Sequence, residues 1–190
     1  MRFLDIEVIT APAELPVTVE QFVDHGRLNG LTVDRQPDLI ERELQAATRR
    51  GEQYCRRSFL TQTLNALYVP DGLDCRCTLL LKLPRGKVQK VNAIKSGGAE
   101  IDPAGYELEW NTIKLASPLP GAAQVEFISG YGDDPDTVPD GIKEGILEYA
   151  TVLYESRSGE RDQKYAAMSN QGLPDGVRDL WRPFQIEVSG

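Results

Sequence analysis

The chain has 190 residues and a formal net charge of −8, with 41% hydrophobic and 7% aromatic residues. That length allows one domain, or one domain with an extension, and no apolar run approaches the ~20 residues of a membrane-spanning helix. The acidic balance argues against a protein that grips phosphates, because nonspecific nucleic-acid affinity comes from neutralising them with lysine and arginine, so sequence-specific DNA binding is not expected.

The N-terminal stretch MRFLDIEVITAPAELP lacks the basic start and long apolar core of a signal peptide. The three cysteines, Cys55, Cys75 and Cys77, make an odd number that does not pair off as a secreted disulfide framework, so a reducing compartment is expected. Thr18 followed by Gln21 is a capping-box pattern, and Val19, Phe22 and Val23 with Leu28 predict a first helix over about 18–29, ended by Gly30. A second and longer helix is predicted over about 37–57, where Ile40, Leu44, Ala47, Gly51 and Tyr54 make one apolar stripe. Arg49, Arg50, Arg56 and Arg57 lie toward its C-terminal end, where cations complement the helix dipole.

From about 61 to 131, short apolar runs alternate with turn residues. Strands are predicted at Leu64–Val69, Thr78–Leu83, Val88–Lys95, Tyr106–Trp110, Thr112–Leu115 and Gln124–Ser129, with turns such as Pro84-Arg85-Gly86 and Ser96-Gly97-Gly98 between them. Most of these strands have one polar face, as a small antiparallel sheet with one side on helices needs. The strand ending in Gly130-Tyr131-Gly132 leads into the acidic turn Asp133-Asp134-Pro135-Asp136, and Pro139 opens a third helix over about 139–157 whose face is Ile142, Ile146, Tyr149 and Leu153. Beyond it, 156–170 is polar and reads as a flexible segment. Leu173, Val177, Leu180, Trp181, Arg182, Pro183, Phe184 and Ile186 then form an apolar-tipped tail. The expected class is α+β: helices forming a bundle, a small antiparallel β region in the middle and a C-terminal docking tail, divided into a domain over 1–155 and a flexible segment with tail over 156–190.

Few constellations suggest bond-making chemistry. His25 beside Asp24 has no nucleophile elbow or oxyanion hole signalled near it, so a surface histidine is the expected reading. Cys75-Arg76-Cys77 supplies half of a zinc site at most, since tetrahedral zinc wants four ligands. Asp133, Asp134, Asp136 and Asp140 could offer oxygen ligands to a divalent cation, but the spacing is not that of a calcium loop, and turn formation and helix N-terminal charge account for them. Arg85-Gly86-Lys87 lacks the glycine spacing of a phosphate cradle. No catalytic, cofactor-binding or metal-binding residues are assigned, and no cofactor is expected.

The order of several phrases along the chain resembles the head-to-tail connector proteins, or adaptors, of long-tailed bacteriophages and phage-like gene transfer agents. They are PVTVEQFVDHGRLNG, PDLIERELQAATRRGEQYCRRSFLTQT, LKLPRGKVQKVNAIKSGGAEIDPAGYELEWNTIKL, FISGYGDDPDTVPDGIKEGILEYATVLYESR and LPDGVRDLWRPFQ. The resemblance spans most of the chain. It implies a non-enzymatic virion protein of the neck, made in the host cytoplasm, that forms a homo-oligomeric ring of twelve copies under the portal. Such a ring extends the DNA channel, through which DNA passes, and receives tail-side connector or terminator proteins. The resemblance also implies that the tail from Leu173 to Ile186 engages the portal. Closed rings need two different patches on each subunit, and the expected pair is the basic Arg49, Arg50, Arg56 and Arg57 against the acidic Asp133 and Asp134. Two other readings remain at this level: a monomeric protein-binding adaptor that recruits a partner through its tryptophan-containing tail, and a small divalent-metal-dependent enzyme using the acidic loop.

Overall fold

The structure is a computed structural model that describes residues 1–26, 37–70, 80–156 and 172–186. In chain order the elements are β1 (Arg2–Thr10), α1 (Val19–His25), α2 (Pro37–Cys55), β2 (Gln62–Val69), β3 (Leu80–Lys82), β4 (Val88–Ser96), β5 (Ala99–Glu100), β6 (Tyr106–Glu109), β7 (Thr112–Leu115), β8 (Ala123–Ser129), α3 (Asp140–Ser156) and α4 (Asp175–Trp181). The fold is α+β. The contacts divide it into two units, one made of Met1–Pro12 and Arg56–Asp133, the other of Ala13–Cys55 and Asp134–Gly190.

The first unit holds every strand among the described residues. A five-stranded sheet runs β1-β2-β8-β4-β5 and a three-stranded sheet runs β3-β7-β6, with every pair antiparallel. Period-two alternation puts Leu64, Ala66 and Tyr68 of β2 and Val125 and Phe127 of β8 on one side, and a bulge at Asn92 brings Val91 and Ile94 of β4, three residues apart, to that same side. Leu81, Ile113 and Leu115 of the smaller sheet belong to the same buried cluster. The expectation of helices over this face is therefore corrected: a second sheet covers it. Alternation reports that one face is buried, and is silent on what buries it. The Tyr68 hydroxyl donates to the Lys82 carbonyl at 2.7 Å, tying the two sheets together, and burial pushes its phenol well above the ordinary range.

β1, like the two-residue β5, is a strand that the local pattern of the sequence does not announce. It pairs with β2 through seven residues, with bulges at Leu4 and Ile9. Gly97 and Gly98 both adopt left-handed backbone in the β4–β5 turn, as a two-residue hairpin of the primed type requires. Of the expected strand Thr78–Leu83, Leu80–Lys82 is strand, while Thr78 and Leu79, with Cys75 and Cys77, lie outside the described residues.

The second unit holds the helices. Thr18 caps α1 as expected: the Gln21 N–H donates to Thr18 Oγ1 at 3.2 Å, and the Thr18 N–H donates to Gln21 Oε1 at 2.9 Å. The helix stops at Gly26, whose N–H donates to the Phe22 carbonyl, short of the expected 29; Leu28 and Gly30 lie outside the described residues. α2 buries Ile40, Leu44, Ala47, Thr48, Gly51 and Cys55 and ends two residues early, because Arg56 takes a left-handed φ of 54°. Arg56 and Arg57 thus leave the helix, and the last turn carries no basic residue. α3 begins at Asp140, with the carbonyl of Pro139 accepting from Ile142 at 2.9 Å, and buries Ile142, Ile146, Leu147, Ala150 and Val152. The polar segment following it falls outside the described residues up to 171.

Candidate functional site: the C-terminal segment and the exposed apolar surfaces

The C-terminal segment is held by its own chain. Leu173, Val177 and Trp181 are fully buried in the second unit. Trp181 lies across α3 where Gly145 leaves room: a Cβ there would stand 2.2 Å from Trp181 Nε1. The indole N–H donates to the Ile142 carbonyl at 3.3 Å, and the ring meets Tyr149 edge-on at 6.0 Å and Tyr54 tilted at 6.2 Å. One turn earlier, Gly141 admits the ring of Phe184, whose Cε2 a Cβ would approach to 3.0 Å. The Ile186 N–H closes the segment by donating to the Cys55 carbonyl at 3.1 Å. Two glycines four residues apart on α3 thus make a slot for two aromatic rings, a signal present in the sequence that the apolar stripe of Ile142 and Ile146 obscured.

This arrangement sorts the residues expected to meet a portal. Leu173, Val177 and Trp181 are buried as internal anchors, Trp181 against α3 and Tyr54 of α2, so in this conformation none offers surface to another chain. Arg182 and Pro183 are exposed, and Leu180, Phe184 and Ile186 are half-buried.

The residues expected at a subunit interface are spread more widely. Arg49 and Arg50 with Asp134 belong to the second unit, and Arg56 and Arg57 with Asp133 to the first. Arg49, Arg56, Asp133 and Asp134 are exposed; Arg57 bridges to Gly86 through its backbone. Asp134 performs the turn chemistry expected of it, its Oδ1 accepting from the Asp136 N–H at 2.9 Å and its carbonyl from the Thr137 hydroxyl at 2.6 Å. Among the described residues no three His, Cys, Asp or Glu side chains converge where they could hold a metal ion.

His25 is half-buried and sits between two glutamates one turn apart on α3, with Nδ1 3.6 Å from Glu144 Oε1 and Nε2 3.6 Å from Glu148 Oε2. It joins α1 to α3.

Two surfaces were not signalled as sites. β1 exposes Phe3, Leu4, Val8 and Ile9 along an edge strand, and long apolar edges are what soluble proteins ordinarily cover or charge. Trp110 was expected as the last residue of a strand. It is instead the first residue of the two-residue β6–β7 turn, 88% exposed, with a left-handed φ of 59°. A bulky side chain in that backbone region is unusual, and strain of about 1–3 kcal/mol persists only where the surroundings impose it. The turn is held from behind by the Leu83 N–H, which donates to the Asn111 carbonyl at 2.7 Å, and it is flanked by Glu107 and Glu109, the latter contacting Lys114.

No protein-family model and no curated protein matches the sequence. Solved structures do. A chain in the neck of an empty gene transfer agent (GTA) particle, computed with C6 symmetry, aligns with a TM-score of 0.74 at 20% identity over 98% of each chain. A chain in the neck of the native GTA particle, computed with C12 symmetry, aligns with a TM-score of 0.70 at 20% identity over 98% of each. This chain shares its fold with those neck chains. A chain of the native GTA virion gives a TM-score of 0.74 at 19% identity, again over 98% of both. Coverage this complete means that the neck-protein fold includes both units here, the α4 segment as well as the two sheets.

Proposed function

We propose that the chain is a structural neck protein, a head-to-tail connector that assembles as a ring of twelve copies beneath the portal of a phage or GTA capsid, lengthens the DNA channel and gives tail-side proteins their attachment site. The observation that carries this is the fold shared over 98% of both chains with proteins in necks of sixfold and twelvefold computed symmetry. The chemistry is interface burial and needs no catalytic group. The net charge of −8 suits a channel through which DNA slides without being held.

In this reading the portal meets the rim of the C-terminal segment, Leu180, Arg182, Pro183 and Ile186, while Leu173, Val177 and Trp181 are the fixed base beneath it. The exposed Arg49 and Asp133 supply polar contacts between subunits. Light scattering over a concentration series, with negative-stain microscopy of the same samples, tests the ring. Closed rings of uniform subunit number are expected, formed by the chain alone or on added portal. A chain that stays monomeric in both conditions sinks the proposal.

A further inference from the structure

On the outer face of the five-stranded sheet a shallow hollow is lined by Ile9, Asn65, Ala93, Lys95, Gln124 and Glu126. It exists because of side-chain lengths: Asn65, Glu126 and Ala93 stand in one cross-strand row, and Ala93 is the short member. Ile9, the bulge residue of β1, supplies an apolar wall. Lys95 stands at the next row beside Gln124 and makes no ion pair among the described residues. Glu126 has one carboxylate oxygen engaged by the Asn92 amide at 3.0 Å.

We propose that in the assembled ring the β6–β7 tip of one copy inserts Trp110 into this hollow on the next copy. The inference rests on the ring reading above. The two sites match in chemistry. The indole takes apolar contact from Ile9 and Ala93, its face receives the Lys95 ammonium, and its N–H meets acceptors in Glu126 and Gln124. Tip and hollow are different surfaces of one chain, which is the head-to-tail contact that cyclic closure requires. A partner also gives the exposed tryptophan and its left-handed backbone a purpose that the isolated chain does not.

The chain has two tryptophans, and Trp181 is fully buried while Trp110 is exposed, so the fraction of intrinsic fluorescence that acrylamide quenches reads Trp110. As scattering reports assembly, Trp110 emission should move to shorter wavelength and its quenching by acrylamide should fall. Trp110→Ala should weaken self-association at least about thirtyfold, the scale of an interface hot spot, with the emission of the remaining Trp181 unchanged as a check on the fold. Ala93→Phe, which fills the hollow from the other side, should weaken it similarly. Assembly with Trp110 still fully quenchable overturns the contact and leaves the ring reading standing. Protection of Trp110 with Ala93→Phe assembling normally overturns the hollow as its seat. A chain that never assembles overturns both the contact and the ring.

Discussion

Replacing Trp181 with alanine is expected to destabilise the protein by about 3–5 kcal/mol, the range for removing a large aromatic from a core. The residue is fully buried, its ring lies between Tyr54 and Tyr149, and its N–H bond to the Ile142 carbonyl goes with it. The neighbouring backbone cannot close the cavity, because α3 is pinned by Ile142 and Ile146 on its buried face. Urea denaturation followed by circular dichroism gives the loss, and limited proteolysis should release the segment after 172. The reverse substitution acts through the same contact: Gly145→Val would set a Cβ 2.2 Å from the indole nitrogen, closer than any side chain tolerates. Each change alone should be severe, and the double variant should lose less than the sum, since the valine occupies part of the space the tryptophan vacates. A loss below about 1 kcal/mol for Trp181→Ala would mean that the segment is not anchored as described.

Gly130→Ala should be comparably damaging, at about 4 kcal/mol, for a different reason. Gly130 has a φ of 151°, a region L side chains rarely adopt, and a Cβ there would stand 2.5 Å from the backbone carbon and oxygen of Leu60 and from the Thr61 nitrogen. Those are main-chain atoms and have no rotamer into which to retreat. The position also carries hydrogen bonds on both sides, donating to the Lys87 carbonyl at 3.1 Å and accepting from the Gln89 amide at 3.1 Å. Gly98 provides the control. Its φ is 84° but a Cβ would meet nothing within 4 Å, so Gly98→Ala should cost only the left-handed backbone term, about 1–2 kcal/mol. If the two variants have the same urea midpoint, steric closeness to Leu60 is not what fixes glycine at 130.

The sequence was most legible where a period repeats locally. The stripe from Ile40 to Gly51 and the face of Ile142 and Ile146 marked α2 and α3 to within a residue or two. The Thr18 capping box needed only four residues to be read, and the Gly-Tyr-Gly exit and acidic turn were found for the same reason. β1 was missed because its bulges at Leu4 and Ile9 interrupt the alternation and because its partner β2 lies about 50 residues on, with no turn between them to announce a hairpin. The tail residues were recognisable as anchors, but hydrophobicity does not say whose cavity an anchor fills, and the Gly141 and Gly145 pair that does say it is hidden within the apolar stripe of α3. Trp110 read as the end of a strand because a tryptophan in a left-handed turn is the less common outcome. The helix over 37–57 ran long for a related reason: only the backbone shows that Arg56 turns left.

The chain passes between its two units three times, after Pro12, Cys55 and Asp133. Neither unit is therefore a contiguous piece that could be made by truncation. On the ribosome β1 is finished first yet must wait for β2, and α2, with Ile40 and Leu44 uncovered, must wait for α3 to emerge more than 80 residues later. The sheet unit can close once residue 133 is free, whereas the helical unit cannot close until α4 has left the exit tunnel. During synthesis the first half of the helical unit is thus a long-lived apolar surface, the stage at which this protein is most exposed to chaperones and to aggregation.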